Sequence, residues 1–217
     1  MRRKDQTARR RQLVEAARQV LLERGAVGVR VKDIAERAGL APSSVLYYYP
    51  RLDALLLEVS REAINRYGVR RADTVRALSD PTDQLRLTLH LGVPTGPDDE
   101  QSRLLYELDA FTGSSPAFAV LTASYFDRQV MLYQTILERG ASRGDFRLAA
   151  GAELVARGLV ALEDGLGLQV VLGHPALDAA EAERILVSHA GAMTATDLTA
   201  VPVAAGGAGM VAGPKSG

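Results

Sequence analysis

Few side chains in this sequence have the spacing that catalysis or metal binding requires. Its three histidines, His90, His174 and His189, lie far apart and lack metal-ligand spacing. The sequence contains no Gly-x-Ser-x-Gly elbow and no phosphate-binding loop. It also contains no cysteine, which excludes disulfides and thiolate metal sites. We therefore predict no cofactor and no metal, and an enzyme remains an alternative with thin support.

Cationic side chains are concentrated in the first third of the sequence. Residues 1–71 hold 16 Lys or Arg against 8 Asp or Glu, whereas the remaining residues hold 10 against 18. Lys and Arg gain free energy when they displace the counterions condensed on nucleic acid. The asymmetry indicates a polyanion-binding head on an acidic body, and a solvated basic surface is an equally weighted alternative.

Short helices and a tight turn must position those cations. A first helix is predicted from Thr7 to Arg24, closed by Gly25, with an apolar stripe of Leu13, Ala16, Ala17, Val20 and Leu21. A second runs from Val31 to Ala38, and Gly39-Leu40-Ala41 leads to Pro42 at the start of a third, which ends before Pro50. Helix, short Gly-containing turn and helix is the geometry that places a recognition helix in the major groove of DNA.

The third helix carries hydroxyl groups suited to DNA. Pro42, Ser43, Ser44 and Tyr47 lie where such a helix meets phosphates and base edges. Successive helical residues point about 100° apart, so a helix that buries Val45, Tyr48 and Tyr49 must expose Tyr47. Two alternatives stay open: Ser43 as a helix cap, and aromatic core for part of the tyrosine run.

The rest of the chain favours helices packed on helices. Its apolar residues, 47% of the total, include few aromatics and few β-turn signals. Further helices are predicted from near Arg51, from Pro81 to Val93, and over residues 98–112, 116–140, 149–172 and 177–193. We predict an all-α protein of about nine helices, with a DNA-binding domain at 1–50, a helical domain at 51–198 and a disordered tail at 199–217.

No stretch of 18 apolar residues interrupts this pattern, and the basic start MRRK is followed by charge and not by an apolar segment. The sequence therefore predicts a cytoplasmic protein without a membrane partner.

Residues Gln6 to about Arg66 resemble the DNA-binding domain of the tetracycline-repressor (TetR) family. The resemblance rests on Arg10, Leu13-Val14, Ala16-Ala17, Gly25, the run Val31-Lys32-Asp33-Ile34-Ala35, Ala38-Gly39, Tyr48-Tyr49-Pro50 and Leu55-Leu56. The sequence departs from the family pattern at Arg30 in place of a capping Ser or Thr, Leu46 in place of Tyr, Tyr47 in place of His, and Leu52 in place of Lys. Arg51 is expected to supply the missing charge.

The resemblance implies that the partner is double-stranded DNA. Residues 2–4 and 9–11 form a basic arm that would contact this DNA, and the alternative for residues 2–4 is a solvated tail without DNA contacts. The expected DNA contacts are Arg10, Arg30, Lys32, Pro42, Ser43, Ser44, Tyr47, Tyr48 and Arg51.

Dimerisation and a small-molecule effector are also implied by the resemblance. The expected homodimer interface lies on the last two helices, with an ordinary intrachain core as its alternative: Val155, Leu159, Leu162, Leu166, Val170, Ile185, His189 and Met193. The alternative for each expected effector contact is an ordinary core position. The expected contacts are His90, Tyr106, Asp109, Phe111, Phe118, Tyr125 and Met131, with Phe126 and Tyr133 as further candidates.

The predicted function is that of a dimeric, effector-released repressor that reads a pseudo-palindromic operator. The alternative is a helical protein-interaction module whose DNA-binding head has degenerated, and Leu46 and Leu52 are the residues that favour it.

Overall fold

The computed structural model describes residues 2–199, and the side chains of all of these except residues 2–5 and 114. The predicted disordered tail therefore lies outside the described residues, apart from Thr199. The described part contains nine α-helices, one 3-10 turn at Thr112–Ser114 and no strand. The helices are α1 (Arg2–Gly28), α2 (Val31–Arg37), α3 (Pro42–Tyr48), α4 (Leu52–Arg76), α5 (Pro81–Gly92), α6 (Glu100–Asp109), α7 (Pro116–Arg143), α8 (Ala152–Val171) and α9 (Ala179–Thr194). The predicted all-α fold is confirmed.

Helix α1 differs from its prediction at both ends. It begins at Arg2, so the basic residues expected in an arm before the helix are part of the helix. At the other end, Gly25 takes a left-handed φ of 69°, which breaks the helix where a closing glycine was expected, and a last turn continues to Gly28. The predicted stripe from Leu13 to Leu21 is buried throughout.

Two hydrophobic cores follow each other along the chain. The first joins α1, α2 and α3 to the N-terminal half of α4 through Leu55, Leu56 and Val59. This core also includes Leu104 of α6 and Phe118 of α7. The head, which consists of α1, α2 and α3, therefore packs directly against the body, which consists of the helices from α4 onward. The second core lies among α5, α7, α8 and α9. Helix α4 contributes Val75 to this second core and therefore belongs to both.

Helix α6 holds the kinked end of α1 through two hydrogen bonds. The backbone N–H of Ala26, freed by the break at Gly25, donates to a Glu107 carboxylate oxygen at 2.7 Å. Arg103 donates to the carbonyl of Leu22 at 3.1 Å. A helix of the body therefore determines where α1 ends.

None of the described helices is both long enough and apolar enough to cross a lipid bilayer.

Candidate functional site

The helix-turn-helix is formed by α2, the turn at residues 38–41 and α3. Gly39 adopts a φ of 65°, which a side chain would disfavour, and the N–H of Leu40 donates to the carbonyl of Ala35 at 2.8 Å. Pro42 then occupies the first turn of α3, where no intrahelical bond needs its missing N–H. The turn that the sequence predicted is present at the predicted residues.

Helix α3 is anchored by Val45, which is 1% exposed, and presents its opposite side to solvent. Tyr47 is 74% exposed and meets only the edge of the Tyr48 ring, at 5.1 Å between centroids. Ser43 is exposed and Ser44 half-buried, and neither hydroxyl makes a hydrogen bond within the described chain. Since Ala41 is the N-cap residue, the hydroxyls of α3 remain available to a bound duplex.

The cations around α3 differ in how firmly they are held. Arg10 stacks 4.6 Å above the Tyr49 ring and donates to its hydroxyl at 3.4 Å, so Tyr49 fixes its direction. Arg51 is the N-cap residue of α4 and pairs with Asp53. Arg30 precedes α2 without making a capping bond, and Lys32 is exposed beside it. All nine predicted DNA contacts lie in the head, with only Ser44 and Tyr48 half-buried.

A cavity opens in the body between α4, α5, α6, α7 and α8. Its empty space, including open solvent at the mouth, is about 670 Å³. The lining residues are Ser60, Ile64, Tyr67, Gly92, Pro94, Ser102, Leu105, Tyr106, Leu108, Asp109, Phe118, Thr122, Tyr125, Glu163 and Asp164.

Three tyrosines form the aromatic part of this cavity. The rings of Tyr67 and Tyr125 lie 6.3 Å apart, and the hydroxyl of Tyr67 donates to the carbonyl of Leu91 at 3.2 Å. The hydroxyl of Tyr106 donates to the carbonyl of Asp164 at 3.2 Å. Burial raises the pKa of Tyr67 to about 12 and also raises those of Tyr106 and Tyr125. The three phenols are therefore neutral at physiological pH.

Two carboxylates give the cavity its charge. Burial and the neighbouring Asp164 raise the pKa of Asp109 to about 6. The pKa of Asp164 is raised by burial and by Glu163. Neither Asp109 nor Asp164 forms an ion pair within the described residues. The cavity thus combines electron-rich rings with uncompensated negative charge, an environment that favours a cationic ligand.

The third carboxylate, Glu163, belongs to a buried network with Arg71 of α4. The two form a bidentate pair at 2.7 and 2.8 Å, and Tyr133 donates to the same carboxylate at 2.5 Å. Burial opposes the charged guanidinium, but the Glu163 carboxylate holds the pKa of Arg71 well above its ordinary value. The pair places a fixed ionic contact between α4 and the wall of the cavity.

The structure brings four of the predicted effector residues to this cavity: Tyr106, Asp109, Phe118 and Tyr125. The other three lie elsewhere. His90 is exposed and contacts Glu183 at 2.9 Å, Met131 is 64% exposed, and Phe111 packs behind Phe118 with ring centroids 5.8 Å apart. Of the two secondary candidates, Phe126 packs against the second core and Tyr133 belongs to the buried network. Sequence reasoning missed Tyr67, Glu163 and Asp164, which helices α4 and α8 contribute. Glu163 could have been identified from the sequence, because an acidic residue within the apolar stripe of α8 indicates a buried charge with a specific partner.

The predicted interface residues of α8 need correction. Val155, Leu159, Leu166 and Val170 are at most 7% exposed and form part of the second core, so the intrachain alternative holds for them. Leu162, Ile185 and Met193 pack half-buried against the same core, and His189 alone is exposed.

A different face of α8 is open. Its residues recur every three or four positions, which defines one exposed stripe of the helix: Leu154, Gly158, Ala161, Gly165, Leu168 and Leu172. Leu154 and Leu172 are 67% and 74% exposed, and no atom lies within 4 Å of a Cβ built on Gly158 or Gly165. Gly167, by contrast, is covered by the hydroxyl of Tyr106 of α6, which leaves no room for such a Cβ.

Two family models match the chain. Residues 13–59 match the model of bacterial regulatory proteins of the tetR family, and residues 81–195, more than half of the chain, match the C-terminal domain of BetI-type transcriptional repressors. Among curated proteins, the transcriptional regulator PksA of Bacillus subtilis is 28% identical over 85% of this chain and 89% of its own. The regulator BetI of an Escherichia coli strain is 28% identical over 80% of this chain and 87% of its own.

Solved structures agree with the family models. A regulator from Saccharomonospora viridis in complex with choline superposes with a TM-score of 0.77 at 25% identity, covering 83% of this chain and 94% of that one. A TetR regulator from Haloarcula marismortui superposes with a TM-score of 0.76 at 23% identity, over 87% of this chain and 99% of that one. These relatives are named as transcriptional regulators and not as enzymes. The chain belongs to the TetR family of DNA-binding transcriptional regulators, with a C-terminal domain of the BetI type.

Proposed function

We propose that this regulator is a homodimeric repressor that binds a pseudo-palindromic operator and is released by a choline-like cation. Residues 1–50 form the reading domain, and residues 51–198 bind the effector and form the dimer, with α4 joining the two. A regulator that reads operator DNA is expected in the cytoplasm. The repressor assignment is supported by the BetI-type match over residues 81–195.

Operator reading rests on the exposed side of α3. Ser43 and Tyr47 have hydroxyls without protein partners, and Arg30, Lys32 and Arg51 flank the helix. Side chains of this kind position a recognition helix on phosphates and offer contacts to base edges. Two such helices about 34 Å apart read two half-sites, which requires a dimer.

The exposed stripe of α8 from Leu154 to Leu172 supplies the dimer contact. Small residues at Gly158, Ala161 and Gly165 allow close approach of a second helix, and the leucines at either end supply apolar area. This stripe replaces the buried residues that periodicity alone predicted. Helix α9, beside it, exposes Ser188, His189 and Ala192 at its margin.

The effector proposal rests on one observation, the pair of unpaired carboxylates Asp109 and Asp164 beside three tyrosine rings. A quaternary ammonium ion gains from ring faces and from negative charge together, and it needs no hydrogen-bond acceptor. The choline complex of the Saccharomonospora viridis regulator, which is similar over 83% of this chain, supports the same ligand class.

The operator experiment begins with selection of bound sequences from random duplex DNA by the full-length protein. We expect the selected site to bind far more tightly than random duplex, with an affinity that falls steeply as salt rises. Equal affinity for the selected and the random duplex would reject operator reading and leave the protein-interaction module in its place.

The effector experiment adds choline to the protein and its selected operator and measures release by fluorescence anisotropy. The neutral isostere 3,3-dimethylbutan-1-ol is the control, because it has the shape of choline without the charge. We expect choline to release the DNA and the neutral isostere to leave it bound. The variant Tyr125→Leu should weaken choline binding about tenfold, because it removes one aromatic ring face from the site. Equal effects of the two compounds would reject the cation site.

A further inference from the structure

A second concavity lies in a groove between α4 and α7, and Ile64 is the one lining residue that it shares with the tyrosine cavity. Its walls are apolar side chains such as Val69, Leu132 and Ile136, with Met131 at its edge. Val69 and Met131 are 58% and 64% exposed, so the groove offers apolar surface to a ligand. The empty space of the groove, including its open side, is about 1180 Å³.

The charged residues of this groove are mostly cationic. Three guanidiniums, those of Arg76, Arg128 and Arg139, face a single carboxylate, Asp73, which pairs with Arg76 at 3.5 Å. Arg128 contacts only the hydroxyl of Ser124, at 3.4 Å. Arg139 donates to neutral oxygens of the chain. Two positive charges therefore lack a carboxylate partner within the described residues.

A buried amide lies at the floor of the groove. Gln129 is 4% exposed, and its Oε1 accepts a hydrogen bond from Arg71 at 2.7 Å. Its Nε2 borders Gly68, 3.9 Å from where a Cβ would stand, and donates no hydrogen bond within the described chain. This N–H group is accessible from the groove, so it can donate to an oxygen of a bound ligand.

We propose that this groove is a second ligand site, and that it binds an amphiphilic anion with an alkyl chain and a carboxylate head. The alkyl chain covers the exposed apolar wall toward Ile136, and the carboxylate head meets Arg128. The amide of Gln129 donates to an oxygen of the ligand. Because the other end of that amide bonds to Arg71, and Arg71 bonds to Glu163 in the tyrosine cavity, the groove and the cavity share one buried contact.

The test uses n-decanoate as probe, kept below its micelle concentration, and titrates it into the full-length protein by calorimetry. Decyltrimethylammonium, with the same chain and the opposite charge, is the ligand control, and both titrations are made in saturating choline so that the tyrosine cavity is already occupied. We expect decanoate to bind and the cationic amphiphile to bind at least tenfold more weakly at this groove. Failure of decanoate to bind overturns the proposal.

Three variants locate the binding. Arg128→Ala removes a free charge, and Gly68→Leu fills the groove from α4; each should weaken decanoate binding at least tenfold while choline binding is retained. Arg70→Ala is the matched control, since Arg70 is exposed on the same helix but does not line the groove. Unchanged affinity in both groove variants, or simple competition between decanoate and choline, overturns the proposal.

Discussion

Replacement of Arg71 by methionine should destabilise the protein strongly. The guanidinium donates five hydrogen bonds of 2.6 to 3.1 Å, to Glu163, Gln129, Tyr133 and the carbonyl of Thr88. Its side chain is 2% exposed. Arg71→Met leaves the Glu163 carboxylate buried without its counter-charge, which in other proteins costs about 3–5 kcal/mol.

The magnitude can be measured as a shift in thermal unfolding. For a chain of this size, 1 kcal/mol corresponds to about 2–4 °C in Tm, so the loss amounts to about 6–20 °C. Circular dichroism at one fixed protein concentration is suitable, because a dimer's Tm depends on concentration. Arg70→Met is the control, since Arg70 is exposed and its replacement should stay within about 0.5 kcal/mol.

A double variant separates charge from packing. Arg71→Met combined with Glu163→Met removes both ions and fills their volume with apolar atoms, so it should be at least about 2 kcal/mol more stable than Arg71→Met alone. A loss below about 1 kcal/mol for Arg71→Met would refute the reasoning. Simple additivity of the two single variants would refute it as well.

Three further outcomes are expected. Tyr47→Ala should weaken operator binding about tenfold while Tm changes little, because the ring is 74% exposed; a large drop in Tm would make Tyr47 a core residue. Gly165→Glu should convert the dimer to monomer in sedimentation velocity, whereas Ala123→Glu on the exposed side of α7 should not, and a dimeric Gly165→Glu protein would reject the α8 stripe. The pKa of Asp109 is raised to about 6, so its ionisation should increase choline affinity from pH 5 to pH 7, and Asp109→Asn should reduce the rise to the part that Asp164 contributes; an equal pH profile in that variant would assign the rise to another group.

The reading head could be predicted because its signals are local. Gly39 and Pro42 each specify a backbone conformation at one position, and together they place the turn without knowledge of anything distant. The exposure of Tyr47 followed from helical geometry once Val45 was assigned to the core. The start of α1 was placed at Thr7 instead of Arg2, because the apolar stripe that marks the helix begins only at Leu13.

The dimer face could not be chosen from periodicity, because α8 is apolar on two sides. One side carries Val155 and Leu159, and the other carries Leu154 and Leu168, with the same helical spacing. Which side meets α7 and α9 depends on contacts between helices that are remote in sequence. Arg71 was equally hidden, since its neighbour Arg70 is an ordinary exposed cation.

The geometry gives an effector two separate ways to act on the head. A ligand beside Tyr106 and Asp109 contacts α6, and α6 holds the end of α1 through Glu107. A ligand beside Glu163 acts on Arg71 and therefore on α4, whose first half lies in the head's core. Because α1 and α4 share the core that holds the recognition helix, a ligand that favours one position of either helix changes operator affinity when DNA favours the other position, by at most the ligand's differential free energy. A cation between the two walls contacts both routes at once, which is why the charge of this cavity, more than its size, should decide which molecules release the operator.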